Sequence, residues 1–182
     1  AASVVAASST DNCGPLTYAF STGATRNFTC ANLGVNNLSV TVTDASGNSA
    51  VCSANITVTD VTAPTVTCNL INAYVNAAGV VSVAGTAVGA GSVDACGISS
   101  MLINGVPSIN YTCDSIGVRN VRMTAYDASG NSNSCLSTVT VYDTISPNAI
   151  CQDIPAIIGP TGTVTVSAAQ IDNGSNDNCA IS

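Results

Sequence analysis

The chain has 182 residues and nine Cys, no Lys, Glu, His or Trp, and only 7% charged residues, its 10 acids all Asp. A net charge of −7 with only Arg26, Arg119 and Arg122 excludes the basic face that nucleic-acid binding needs, and the longest apolar runs fall far short of a membrane helix. Val and Thr favour strands while Asn, Asp, Gly and Ser favour turns, so composition predicts an all-β chain, and the cysteines predict an oxidising, extracellular compartment.

In chain order, residues 1–60 carry Cys13, Cys30, Gly34, the Asp44-Ala-Ser-Gly-Asn48 loop and Cys52, and end on Asp60. The same landmarks return 83 residues later as Cys96, Cys113, Gly117, Asp127-Ala-Ser-Gly-Asn131, Cys135 and Asp143. Pro64 and Pro147, Cys68 and Cys151, and Cys96 and Cys179 keep the same 83-residue step. So many coincidences without an insertion define a tandem repeat. Residues 1–60 are the C-terminal part of one repeat, 61–143 a complete repeat, and 144–182 the N-terminal part of a third. Both cuts fall inside repeats, so the intact protein is expected to continue in both directions.

Within the complete repeat, alternation predicts strands over 65–75 and 80–88 around an Asn76-Ala-Ala-Gly79 turn, then a Gly-rich loop to Asp94. Strands over 97–103 and 108–112 flank Asn104-Gly105, the strongest short hairpin signal. Strands over 118–126 and 132–142 flank the Asp127–Asn131 turn, and 114–117 takes no assignment. Six or seven short antiparallel strands suit an immunoglobulin-like β-sandwich, repeated end to end.

A hairpin centred on Asn104-Gly105 sets Cys96 opposite Cys113, which predicts a Cys96–Cys113 disulfide and, one repeat earlier, Cys13–Cys30. Cys68 has two candidate partners. Cys52 opens the last strand of the preceding repeat, about one domain length away, which far exceeds the roughly 7 Å limit on Cα separation. Cys135 opens the last strand of the same repeat, at the same pole, so Cys68–Cys135 is expected. Cys52, Cys151 and Cys179 should then find partners outside this sequence. A zinc site has neither His nor C-x-x-C spacing behind it, and a catalytic thiol lacks a base. Without a base, acid pair or nucleophile dyad, catalysis is not expected.

Seven of the ten Asp recur at the repeat step: Asp11, Asp94 and Asp177; Asp44 and Asp127; Asp60 and Asp143. In an immunoglobulin-like fold Asp94 and Asp127 share one pole, and Asp60 arrives there from the preceding repeat. Carboxylates gathered without Lys or Arg repel unless a cation joins them, and hard oxygen ligands suit Ca²⁺. One site per junction is expected: Asp60, Asp94, Asp127 and Asn131, then a second at Asp143 and Asp177 with Asp172 and Ser175. A third, at Asp11, Asp44 and Asn48, would lack its upstream Asp. The alternative is that Asp-x-Ser-Gly-Asn is simply a good hairpin loop, with Asp capping the turn and Gly at positive φ.

Several motifs together resemble the hyalin-like (HYR-like) immunoglobulin repeats of bacterial surface adhesins, particularly those of the Bacteroidota. They are Asp94-Ala-Cys-Gly97, Gly174-Ser-Asn-Asp-Asn-Cys179, Asp127-Ala-Ser-Gly-Asn131, Asp60-Val-Thr-Ala-Pro64, and Phe28-Thr-Cys30 with Ala31-Asn-Leu-Gly34. Ala180 departs from the pattern, standing where Gly14 and Gly97 sit. The resemblance covers the whole chain and implies long cell-surface filaments or stalks used in attachment. It also implies O-glycosylation at Ser115 of Asp114-Ser-Ile116 and Thr144 of Asp143-Thr-Ile145, with exposed turn residues as the plainer reading.

A structural filament fits the short Pro linkers and scarce cleavage sites. A ligand-binding adhesin module contacting glycans or other cells is the alternative, although 5 Tyr and 2 Phe offer little aromatic platform. An accessory module of a secreted enzyme is a further possibility that only flanking sequence would reveal. The expected partners are neighbouring repeats, of the same chain or of an identical one sharing strands end to end.

Overall fold

The computed structural model describes residues 2–180 and divides the chain into two compact units, Ala1–Thr62 and Ala63–Ser182. The chain is mostly β, and no helix among the described residues is long and apolar enough to cross a membrane.

The first unit opens with a short helix, α1 (Ala2–Val5), followed by β1 (Thr17–Phe20), β2 (Gly34–Thr43) and β3 (Ser49–Val58) in one antiparallel sheet of order β1-β2-β3. A 3₁₀ turn at Cys30–Asn32 leads to Gly34, whose φ of +93° turns the chain into β2. Leu38, Val40 and Val42 alternate onto one face and pack with Ala6 and Phe20. The opposite face carries polar cross-strand pairs, Asn37 with Asn55 at 2.9 Å and Ser39 with Ser53 at 2.8 Å.

The second unit runs β4 (Ile71–Tyr74), β5 (Val80–Ala84), α2 (Gly85–Val88), β6 (Ile98–Ile103), β7 (Ser108–Thr112), a 3₁₀ turn at Cys113–Ser115, β8 (Gly117–Asp127), β9 (Ser132–Tyr142) and α3 (Ala168–Ile171). One sheet has the order β4-β9-β8-β6, and β5 pairs with β7 in another. β8 sets Gly117 opposite Val141 on β9, while β2 sets Gly34 opposite Val58 on β3, each number 83 lower. Residues of both second-unit sheets share one core: Ala73, Val83, Ile103, Tyr111, Met123, Val139 and Val141. Ile103, Met123, Val139 and Val141 are wholly buried, and each such side chain contributes about 1.5–3 kcal/mol on removal from water.

The structure corrects three expectations. The strand expected over 65–75 is regular only at β4, which lies parallel to β9. Upstream, a single Thr65–Val93 bridge and bonds from Asn69 to Val88 and Ala90 hold the chain instead, so it changes partners partway. The strand expected over 80–88 ends at Ala84 and becomes α2, where Gly85 lies so close to the Met101 carbonyl that a Cβ would approach within 2.5 Å. The Asn104-Gly105 turn forms, with φ +48° and +85°, but its hairpin closes only through Ile103–Val106. Beyond that bridge β6 pairs with β8, and β7 pairs with β5.

Candidate metal centre

Each recurring Asp is placed by its own backbone. The acid two residues before Cys13, Cys96 or Cys179 accepts that cysteine's N–H, at Asp11 (3.1 Å), Asp94 (2.8 Å) and Asp177 (3.3 Å). The acid before each Pro linker does the same, Asp60 from Thr62 at 2.9 Å and Asp143 from Ile145 at 3.0 Å. Short side chains that bond their own backbone favour such turns, so five acids are fixed locally.

The Asp-Ala-Ser-Gly-Asn loops are self-contained. Asp127 Oδ1 accepts the N–H groups of Ser129 and Asn131, and Oδ2 accepts the Asn131 amide at 2.7 Å. Asp44 takes the equivalent bonds from Ser46 and Asn48. Asp127 is 3% exposed, and burial pushes its carboxyl up, yet the amide and N–H donors outweigh burial and leave it below the ordinary value. The Asn48 side-chain amide, with backbone donors, likewise lowers Asp44.

Within the second unit, Asp94 and Asp127 come together, with a carboxylate oxygen of each inside 4.8 Å. No basic group repeats there. Within the first unit, Asp11, Asp44 and Asn48 line a cavity of about 420 Å³ that also borders Cys52. Asp60 is half-buried at the end of that unit.

The second unit also holds the whole boundary between the 61–143 and 144–182 segments. Asn178 donates from Nδ2 to Asp143 Oδ1 at 3.2 Å and to the Asn76 carbonyl at 3.3 Å. Asp177 Oδ1 and Asn178 Oδ1 are buried and have no hydrogen-bond partner among the described residues. Asp172 and Ser175 are engaged elsewhere. Asp172 accepts the Ser175 N–H, and Ser175 Oγ bonds both backbone groups of Ile150. Bonds from Ser175, side chain first, lower the Asp172 carboxyl.

Sequence reasoning passed over one residue of this boundary. Gly79 is buried at φ +72°, and a Cβ there would meet Cys113 Sγ at 2.8 Å and the Asn178 carbonyl oxygen at 2.9 Å. Gly162, 83 residues on, has φ +69°, and that recurrence was the signal available.

The cystines match expectation at Cys68–Cys135 and differ from it elsewhere. Cys68 and Cys135 are bonded, with Cα atoms 6.1 Å apart, tying the segment before β4 to β9. Cys113 is bonded to Cys179, not to Cys96, with Cα atoms 5.2 Å apart. The hairpin register that would have faced Cys96 toward Cys113 stops at Val106, and β7 carries Cys113 away with β5. Cys179 therefore finds its partner inside the chain. The Cys13–Cys30 pair fails too, since Cys13 is an exposed free thiol while Cys30 is disulfide-bonded. Cys52 and Cys151 are also exposed free thiols.

Ser115 is half-buried with Oγ accepting the Thr112 N–H at 3.3 Å, whereas Thr144 is exposed. Tyr74 and Tyr142 stack at 5.5 Å on adjacent parallel strands, both exposed. Neither a protein-family model nor a curated protein matches this sequence.

Proposed function

We propose that the chain is a structural segment of an extracellular filament or stalk of the surface-adhesin type. Its repeats are hyalin-like immunoglobulin β-sandwiches on an 83-residue period, stiffened by an internal cystine and by Ca²⁺ at each junction. The observation that carries this reading is the built boundary at Asn76, Asp143 and Asn178, where one segment hydrogen-bonds the next. A chain serving only as loosely strung modules needs no such contact. Six disulfide-bonded cysteines support an oxidising location.

For the metal, Asp177 Oδ1 and Asn178 Oδ1 supply buried acceptor oxygens, Asn178 being bonded to Asp143, and Ca²⁺ takes 6–8 oxygens, backbone carbonyls included. The 83-residue step carries this set back onto Asp60 and Asp94, with Asp127 and Asn131 added from the hairpin loop. The hard-oxygen donor set has no His or thiolate, which suits Ca²⁺ over zinc. The self-satisfied Asp127 loop means that the metal would use the remaining lone pairs of that carboxylate.

Thermal melts in about 10 mM CaCl₂ and in excess chelator test the metal. For an extracellular-type site with a Kd near 10⁻⁴ M, binding stabilises by about 2.7 kcal/mol, or on the order of 10 °C in Tm. Asp177→Asn should shrink that shift. Identical melts in both buffers would remove calcium from the proposal.

A further inference from the structure

The first unit is open where the second is closed. Among the described residues β3 pairs with β2 on one edge and carries no strand on the other. β9, whose residues lie 83 further on, carries β4 on that edge, with Ile71 opposite Val139. Ile56 of β3 lines a cavity of about 160 Å³ with Val5, Phe20, Phe28 and Leu38. The residues 83 positions on are Val139, Val88, Ile103, Tyr111 and Val121, all buried in one core with Ala73, Val75 and Val83 of the β4–β5 stretch. Phe28, Leu38 and Ile56 are only half-buried, so the piece that the first unit lacks is the counterpart of that stretch.

The chain carries such a piece at 154–166, where it has nothing to cover. No strand forms there, and Ile158 is 65% exposed where Val75, 83 residues earlier, is 3% exposed. Val164 and Val166 are exposed where Val81 is half-buried and Val83 buried. The thiols keep the same register. Cys68–Cys135 ties the segment before β4 to β9, and the step carries Cys68 onto Cys151 and Cys135 onto Cys52, both exposed free thiols. We propose that residues 147–166 of a second copy of this chain dock on the first unit, closing its core and bonding the second copy's Cys151 to Cys52. The inference deepens the filament reading by naming the partner, and it rests on that reading's 83-residue register. In the donor, Asn148 bridges Asn176 and the Ile150 N–H bonds Ser175. In the second unit Thr65 likewise bridges Val93, and the Thr67 N–H bonds Ser92. The first unit has Thr10 and Ser9 at those positions, lining the cavity that borders Cys52. The backbone bonds of the donor therefore exchange one for one, and burial of Ile158, Val164 and Val166 decides the balance.

One thiol from each copy enters the bond. The two give up two protons and two electrons to a disulfide oxidant, such as glutathione disulfide, which leaves as two thiols, and one S–S bond joins the copies. Each copy offers one donor stretch and one acceptor face, so the contact is heterologous and adds copies in sequence instead of stopping at two.

The whole chain, held at rising concentration in a glutathione redox buffer, tests the docking. On a denaturing gel without reductant it should run as a ladder of multiples of 17.9 kDa, and with reductant as one band. Cys52→Ser and Cys151→Ser change exposed free thiols, so neither should disturb the fold, and each alone should lose the ladder. Mixed together, the two variants should give a covalent pair and nothing longer, because one supplies Cys151 and the other Cys52. Ile158→Asp should thin the ladder although every thiol remains, which separates docking from random oxidation. A ladder that survives in either cysteine variant, a ladder undiminished in Ile158→Asp, a mixture without a covalent pair, or a wild type that stays a single band overturns the docking. A single band refutes the second copy as occupant and leaves the filament reading standing or falling on the chelator melts.

Discussion

Single acids set the behaviour of the loops. Asp127 gathers donors from Ser129 and Asn131 around a buried carboxylate, and Asp44 and Asp172 hold equivalent bonds on more open ground. All three carboxyls lie below the ordinary value near 4. A folded value below the unfolded one contributes stability that is fully present above the unfolded value. That contribution is lost as pH falls through the folded one. In chelator, Tm should therefore hold between pH 7 and pH 5 and decline below about pH 4. Asp127→Asn should lower the plateau and flatten the decline. A decline that begins near pH 6 would assign the acid sensitivity to other groups.

At the scale of the strand, burial rather than pairing decides what a residue is worth. Met123 of β8 is wholly buried, while Leu136 of β9, opposite the neighbouring Arg122, is 72% exposed. Met123→Ala should cost about 2–5 kcal/mol by leaving a cavity. Leu136→Ala should stay within about 0.5 kcal/mol. Equal losses in urea titrations would mean that the core is not where β8 points. The strands flanking Asp127–Asn131 were legible because their alternation, their turn chemistry and their mutual pairing are all local. The Asn104-Gly105 turn was legible for the same reason, but the partners of its strands were not. A two-residue turn fixes two residues, and whether pairing continues depends on what else each strand can reach. β6 reaches β8, where the turn itself is tied by the Arg122 N–H to Asn104 Oδ1 at 2.8 Å. The Cys96–Cys113 expectation failed with that register, because it carried a local signal far beyond the turn. The short helix α2 was hidden because Gly85-Thr-Ala-Val88 follows the Val-rich β5 with no side-chain cap to mark a helix start, and only contact with Met101 distinguishes it. Among the metal candidates, the turn-forming acids could be read from sequence. The diversion of Ser175 toward Ile150 could not, since it depends on a pairing 25 residues away.

For the molecule as a whole, the two cystines of the second unit span the only trypsin sites of that unit, Arg119 and Arg122. Trypsin acting on the unfolded, unreduced chain should release residues 1–26 and leave 27–119 joined to 123–182 through Cys68–Cys135 and Cys113–Cys179. Reductant should then separate the two. Separation before reduction would show that neither bond formed. The two closed loops also overlap, since Cys113 lies within the first and Cys135 within the second. Under tension, the shortest covalent route from Cys68 to Cys179 crosses to Cys135, runs back 135 − 113 = 22 residues, and crosses again. The unbridged backbone between them is 179 − 68 = 111 residues. At about 3.4 Å per extended residue the slack is roughly 75 Å instead of roughly 380 Å. An oxidised chain stretched until its strands part would therefore go taut early, and a reducing environment would make the same chain far more extensible.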